Sequence, residues 1–293
     1  MIFDALELNY SKINAYLTCP LLYKFIYVNR HYTPPTGPSS FGLSLHHAIA
    51  RYHAEGRTLG DLMVYYQDCW LHQGYETPQQ AMEYYRMGEK ILEKWHDFHS
   101  QDTNKVLYWE KNFRFEFERW TVKGTIDRID LLPGGGAEII DYKTGLEGQP
   151  RTEEQTANSL QLGIYALAAE EFFGLRPEKI TYYILSGPNK VSVPYTPEIK
   201  ERTREAIRTA GMKIFDADYS ARGNCEHCSI RNICRESTCK DEQNEVSAAS
   251  LASDNSAAEK NKNGGRNEAP GFGLSLGEIL GAALGKKEDG TKE

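Results

Sequence analysis

The chain has 293 residues and a formal net charge of −7, with 40% hydrophobic and 26% charged residues. That suffices for one large domain or two small ones of ordinary soluble composition. The acidic balance excludes a global basic field for holding nucleic acid, so such a contact would need local Lys/Arg patches beside an acidic metal site.

The opening MIFDALELNYSK has neither a basic nor an apolar signal-peptide region, and no run approaches the ~18 apolar residues of a membrane span. We expect a cytoplasmic protein without membrane contact. Its six cysteines then read as metal ligands or core residues rather than disulfides.

Residues 9–29 show helical spacing, with Cys19-Pro20 ending one helix near Thr18 and restarting another. His31 to Ser40 reads as a loop by its Pro, Gly and Ser content. Helices follow over 41–55, 58–73 and 77–100, the last opening on Thr77-Pro78, and Cys69 in this block is expected in the core. From Val106 to Trp120 the period changes to two, predicting a strand. An amphipathic helix is expected over 155–173, strands over 179–186 and 190–195, and a helix over 197–216. This order implies an α/β fold with a mixed central sheet flanked by helices and a helical N-terminal region. After Lys240 the composition collapses to small and polar residues, predicting a disordered tail over 240–293. Within it, residues 271–285 regain leucines at helical spacing and are a candidate partner-binding helix.

The stretch from Gly124 to Gly145, GTIDRIDLLPGGGAEIIDYKTG, is two β-branched runs around Pro-Gly-Gly-Gly, a hairpin signal. Alternation puts Asp127 and Ile129 on one face, and Ile139, Asp141 and Lys143 on one face of the partner. Whether these faces coincide depends on the loop. A four-residue connection opposes Asp127 to Tyr142 and separates the carboxylates. A three-residue loop pairs Asp127 with Lys143, and a five-residue loop from Leu132 to Gly136 opposes Asp127 to Asp141. Convergence requires an odd loop or a bulge. Two converged carboxylates can hold Mg2+ or Mn2+, with the Tyr142 backbone carbonyl as a further ligand, while Lys143 offsets charge on an attacked phosphate.

Gly124-Thr-Ile-Asp127, Asp141-Tyr-Lys143-Thr-Gly and Gln161-Leu-Gly-Ile-Tyr165, with Gly42-Leu-Ser-Leu-His46 upstream, occur in one order and spacing. In these motifs the chain resembles the RecB/AddB-like branch of the PD-(D/E)XK nucleases, over roughly residues 9–239. The resemblance implies a restriction-endonuclease-like core. It also implies metal ligation by His46, Asp127 and Asp141, catalysis by Asp127, Asp141 and Lys143, and support of DNA and active site by Gln161 and Tyr165. Glu110 resembles an acidic position that precedes the metal strands. The glycine spacing selects His46 over His47, which points about 100° away on a helix.

Cys225-Glu-His-Cys228 and Cys234 have metal spacing, and by residues alone a zinc site completed by Cys239 is an option. Members of the same branch carry a [4Fe–4S] cluster, which would fall here on Cys19, Cys225, Cys228 and Cys234 and leave Cys239 free. Such a staple would close the two ends of a nuclease domain over 1–239, with a helical insertion at about 41–100. The resemblance implies a metal-dependent nuclease, a single-strand-preferring DNA exonuclease of repair or recombination. Its alternatives are a CRISPR-adaptation nuclease and a DNA-end-binding module with a vestigial centre. A helicase or a repair or adaptation protein could bind through the tail. Arg114, Arg119, Lys123, Arg128, Lys190, Arg202, Arg204 and Arg208 are candidate nucleic-acid contacts.

Overall fold

The computed structural model describes residues 6–31, 34–56, 58–145 and 150–220, and residues 223, 225, 228–231, 233, 234 and 236. The tail with its candidate helix at 271–285, and Cys239, lie outside the described residues.

Strand β1 (Glu7–Leu8) leads into α1 (Tyr10–Thr18), capped by the Asn9 side chain on the Lys12 N–H at 2.8 Å. Helix α2 (Pro20–Tyr23) restarts at the expected proline and runs on as a π-helical turn, Lys24–Val28. Helices α3 (Gly37–Glu55), α4 (Leu59–Cys69) and α5 (Pro78–Ser100) each begin after a threonine that caps them. The loop expected to reach Ser40 ends at Thr36, because Thr36 and Ser39 form a reciprocal capping box and Gly-Pro fills the first turn. Cys69 is half-buried at the end of α4, short of the core position expected.

Strands β2 (Lys105–Phe117), β3 (Trp120–Leu131) and β4 (Ala137–Lys143) follow, then α6 (Glu153–Ala157), α7 (Leu160–Glu171), β5 (Pro177–Ile184), β6 (Asn189–Pro194) and α8 (Pro197–Phe215). Trp120 opens β3 rather than closing β2. The reversal falls on Glu118-Arg119, which carries no Gly or Asn to announce it, and Glu118 takes φ 54°. The helix expected over 155–173 is broken at Asn158, where the Ser159 side chain caps α7 anew. Helix α7 is also buried on every side from Gln161 to Ala169 rather than amphipathic.

Among the described residues, six strands form one mixed sheet. Along one edge β3 pairs antiparallel with β2. Along its other edge it pairs first with β1, parallel at Glu7↔Thr121, and then with β4, antiparallel at Leu131↔Ala137. The parallel pair β4–β5 needs a crossover, which α6 and α7 supply. Alternating side chains feed two cores. Helices α1, α7 and α8 pack with Ile129, Ile139 and Ile180, whereas α3, α4 and α5 pack with Ile140, Tyr142 and Tyr183. The ends of β1 and β4 therefore meet at one edge of β3, between helical layers, where the motifs converge.

Candidate active site

Two local irregularities align the acidic residues. Strand β2 pairs with β3 as Val106↔Asp130, but from Tyr108↔Ile129 onward the register is shifted by the extra residue Leu107. One inserted residue exchanges the faces of everything after it. In the original register Trp109 would oppose Asp127. After the bulge Trp109 faces Arg128, Lys111 faces Ile126, and Glu110 falls between them opposite Asp127. Glu110 takes φ 41°, a strained value for a side chain of this type.

The second irregularity is the hairpin loop. Leu131↔Ala137, Ile129↔Ile139 and Arg128↔Ile140 define the five-residue connection, and the next step opposes Asp127 to Asp141. The Leu132 N–H donates to the Gly136 carbonyl at 2.8 Å, and Gly135 takes φ 80°, where glycine is unstrained. Asp141 in turn pairs with Tyr182 of β5. Glu110, Asp127, Asp141 and Tyr182 thus form a row across four strands.

His46 reaches this row from α3, its Nδ1 3.5 Å from Asp127 Oδ2. Ligand atoms of His46, Glu110 and Asp127 all lie within 4.8 Å of one another. The Tyr142 backbone N–H donates to Asp127 Oδ2 at 3.0 Å. Lys143 Nζ lies 2.7 Å from Asp141 Oδ2 and donates to Gln161 Oε1 at 3.0 Å. Gln161 Nε2 donates to the Tyr165 hydroxyl at 3.0 Å, as the i, i+4 spacing requires.

Burial, and then repulsion from Asp141, push the Asp127 carboxyl well above its usual range. Burial, then Asp127 and Asp141, do the same to Glu110. Burial first, then Lys143 and His47, hold His46 down to about 3, against the pull of the Tyr142 backbone. Burial works against the Lys143 charge, yet Asp141, Tyr182 and Tyr10 outweigh it and raise the ammonium above its usual value. A neutral imidazole beside crowded carboxylates is a donor set for a hard divalent cation. The buried Glu110 Oε2 and His46 Nδ1 have no hydrogen-bond partner among the described residues, which fits ligation of such an ion.

The structure thus brings together His46, Glu110, Asp127, Asp141, Lys143, Gln161 and Tyr165. Tyr165 is 1% exposed and reaches the site through its hydrogen bond with Gln161. Glu110, expected as an acidic residue ahead of the metal strands, stands beside His46 and Asp127 in a group that could hold a metal ion. The basic candidates fare differently. Arg128 is fully buried, with Nε and one terminal nitrogen each 2.6 Å from Asp130, so it is a core ion pair and not a nucleic-acid contact. Lys190 lies 2.7 Å from Asp102, Arg114 and Lys123 both grip Glu7, and Arg208 pairs with Glu118 and Glu205. Tyr182 is the site neighbour that sequence reading missed, because a parallel register between distant strands leaves no local signal.

Cys19, Cys225, Cys228 and Cys234 are in no disulfide and are half-buried. A Cβ on Gly223 would overlap the Thr18 carbonyl and crowd the Cys19 Cβ, so this glycine lets the last segment close onto Cys19. Burial raises the Cys228 thiol against the pull of the Ile230 backbone, and Cys19, Cys234 and Cys225 each add to the rise, so Cys228 lies within electrostatic reach of the other three. Thiols from the first helices and from the segment at 225–234, meeting around Cys228, are of the chemistry that holds a metal group through thiolates.

The description "PD-(D/E)XK nuclease superfamily" matches residues 7–235. The Gene 69 protein of Mycobacterium phage D29 is 24% identical over 76% of this chain and 94% of its own length. An ATP-dependent helicase/deoxyribonuclease subunit of Carboxydothermus hydrogenoformans is 26% identical over 72% of this chain, a match spanning 23% of that longer protein. A solved structure from Eubacterium rectale aligns with 77% of this chain and 87% of its own, with a TM-score of 0.45 and 12% identity. The chain belongs to the PD-(D/E)XK nuclease superfamily.

Proposed function

We propose that the protein is a divalent-metal-dependent deoxyribonuclease that degrades single strands from an end. The observation that carries this reading is the row Glu110–Asp127–Asp141, with His46 on one side and the Lys143 ammonium on the other. These residues would hold one or two Mg2+ or Mn2+ ions, with the Tyr142 carbonyl as a further ligand. Such an ion lowers the pKa of bound water and neutralises charge on a phosphate oxygen. His46 offers a lone pair because it stays neutral down to about pH 3. Lys143, fixed by Asp141 and Gln161, keeps its charge throughout the neutral range and offsets negative charge growing on the attacked phosphate. His46, Asp127 and Asp141 are each no more than 7% exposed. Side chains this covered are the reason for proposing a single strand, which is thinner than a duplex, as the substrate.

The relative named a helicase/deoxyribonuclease subunit supports DNA as substrate and a helicase partner, and with them we propose a setting in repair or recombination. The four gathered thiols support a [4Fe–4S] cluster on Cys19, Cys225, Cys228 and Cys234 in a nuclease domain over 1–239. Residues 240–293 are the proposed route to a partner.

The test is digestion of 5′- and 3′-labelled single strands, duplexes and closed circles over a Mg2+ and Mn2+ titration. Linear single strands should disappear only with metal, and circles should survive. Removal of the ammonium in Lys143→Ala should slow the reaction at least about a hundredfold. Equal activity in that variant overturns the catalytic assignment, and rapid cutting of circles overturns the exonuclease reading.

A further inference from the structure

Outside the residues already given roles, the side chain most closely tied to the site is Tyr182. Strand β5 is held parallel to β4 with Asp141 opposite Tyr182 and Lys143 opposite Ile184. Asp141 and Tyr182 are therefore neighbours across the sheet, and Lys143 stands one pleat further on. Its Nζ lies 5.5 Å from the centroid of the Tyr182 ring, and the guanidinium carbon of Arg151 lies 5.3 Å from the same centroid. Both distances fall within the range of attraction between a cation and an aromatic face. At its other end the Tyr182 hydroxyl donates to Ser159 Oγ at 2.6 Å. Ser159 caps α7, its Oγ accepting from the Leu162 N–H at 3.1 Å, and Gln161 of that first turn receives the Lys143 hydrogen bond.

We propose that Tyr182 is a positioning residue for the Lys143 ammonium, its ring holding the cation while its hydroxyl anchors the helix cap that carries Gln161. The ammonium is then held by three groups: the Asp141 carboxylate, the Gln161 amide and the Tyr182 ring. Each comes from a different element, β4, α7 and β5. A lysine stem is flexible. With the ring gone, only Asp141 and Gln161 hold the ammonium, and it is free to swing from the place where an attacked phosphate would need it. The Tyr182 hydroxyl keeps the ring in register with α7, so the ring and Gln161 move together. The proposal rests on the reading that Lys143 acts in phosphodiester hydrolysis.

Three replacements separate ring from hydroxyl and both from packing. Tyr182→Phe keeps the ring; Tyr182→Leu and the gap-filling Tyr182→Met fill the space without one. We expect Tyr182→Phe to retain most of kcat, and Tyr182→Leu and Tyr182→Met to lose about tenfold in kcat at unchanged KM for the strand and unchanged Mn2+ requirement. Melting temperatures of all three are measured alongside, and Tyr182→Met decides the case if Tyr182→Leu fails to fold. Wild-type kcat in folded Tyr182→Met overturns the proposal. So does a loss in Tyr182→Phe as large as in the ring-less variants, or a rise in KM alone. Lys143→Ala is the control. If it is inactive while Tyr182→Met is fully active, only the positioning role fails; if it is fully active, the catalytic reading fails with it.

Discussion

Glu110 stores its cost in the backbone. A non-glycine residue at φ 41° is held there only by its surroundings, and here these are a shifted ladder, the His46 ring and Asp127. Its carboxyl faces the like charges of Asp127 and Asp141, and its Oε2 has no hydrogen-bond partner among the described residues, so a bound cation would relieve both. Glu110→Gln should raise the Mn2+ concentration for half-maximal activity by at least about tenfold, measured by metal titration of the rate. An unchanged metal requirement removes Glu110 from the ligand set. Tyr165 lies one contact further out. Tyr165→Phe loses the hydrogen bond that fixes the Gln161 amide, and kcat should fall about threefold to tenfold with KM for DNA unchanged. A rise in KM instead would mean that the tyrosine touches the strand. Sequence spacing revealed this pair, but not that both members are buried.

The strand and helix pairings translate those residues into geometry. Asp127 and Asp141 meet because the connection from Leu132 to Gly136 has five residues, one of the odd cases that parity allows. The dependence on loop parity was legible from Pro133 and the glycine run, but neither the five-residue outcome nor the bulge at Leu107 was. Nothing in VLYWEKNF distinguishes a shifted ladder from a regular one, since the shift is set by what β3 offers across the pair. Burial of Arg128 was equally hidden. In sequence it is a charge on a strand, and in space it closes a buried pair with Asp130, with Asp102 3.0 Å away. Removing one partner strands a buried charge, so Asp130→Asn should cost about 3 kcal/mol in urea unfolding. A loss under about 1 kcal/mol would show that the pair behaves as a surface bridge. Gly163, between Gln161 and Tyr165, lets α7 approach α8, for an added Cβ would overlap the Thr203 hydroxyl. Gly163→Val should therefore destabilise by about 1–3 kcal/mol and lower activity through displacement of Gln161.

Across the whole molecule, function depends on joining distant parts of the chain. His46 comes from a helix that precedes β2, the carboxylates from three strands, and Gln161 from the crossover between β4 and β5. The motif order exposed these contributions before any contact was visible, whereas the cores that orient them are tertiary. The cysteines extend the same logic. If they hold a cluster, Cys228→Ala should bleach the visible absorbance of anaerobically purified protein and lower its melting temperature, while Cys239→Ala should not; stoichiometric zinc in wild type would contradict the cluster.

Half-buried His99 adds a pH dependence of known sign. His99 is held down to about 4, by burial first and then by Arg128. A depressed folded value contributes stability fully above an unfolded pKa of about 6.5 and loses it as pH falls toward 4. Glu110 and Asp127, held high, act with the opposite sign in the ion-free protein. Comparison of wild type with His99→Gln isolates the histidine: the variant should lose less stability between pH 6.5 and 4 in urea titrations. An identical slope would mean that folding leaves His99 unperturbed.

The central claim is that the acidic row and His46 together hold a divalent cation. Calorimetric titration of Mn2+ into wild type and into Asp127→Asn tests it without reference to activity. Saturable binding in wild type, weakened about a hundredfold in the variant, is the expected result. Equal binding by the two proteins, or none by wild type, would contradict it.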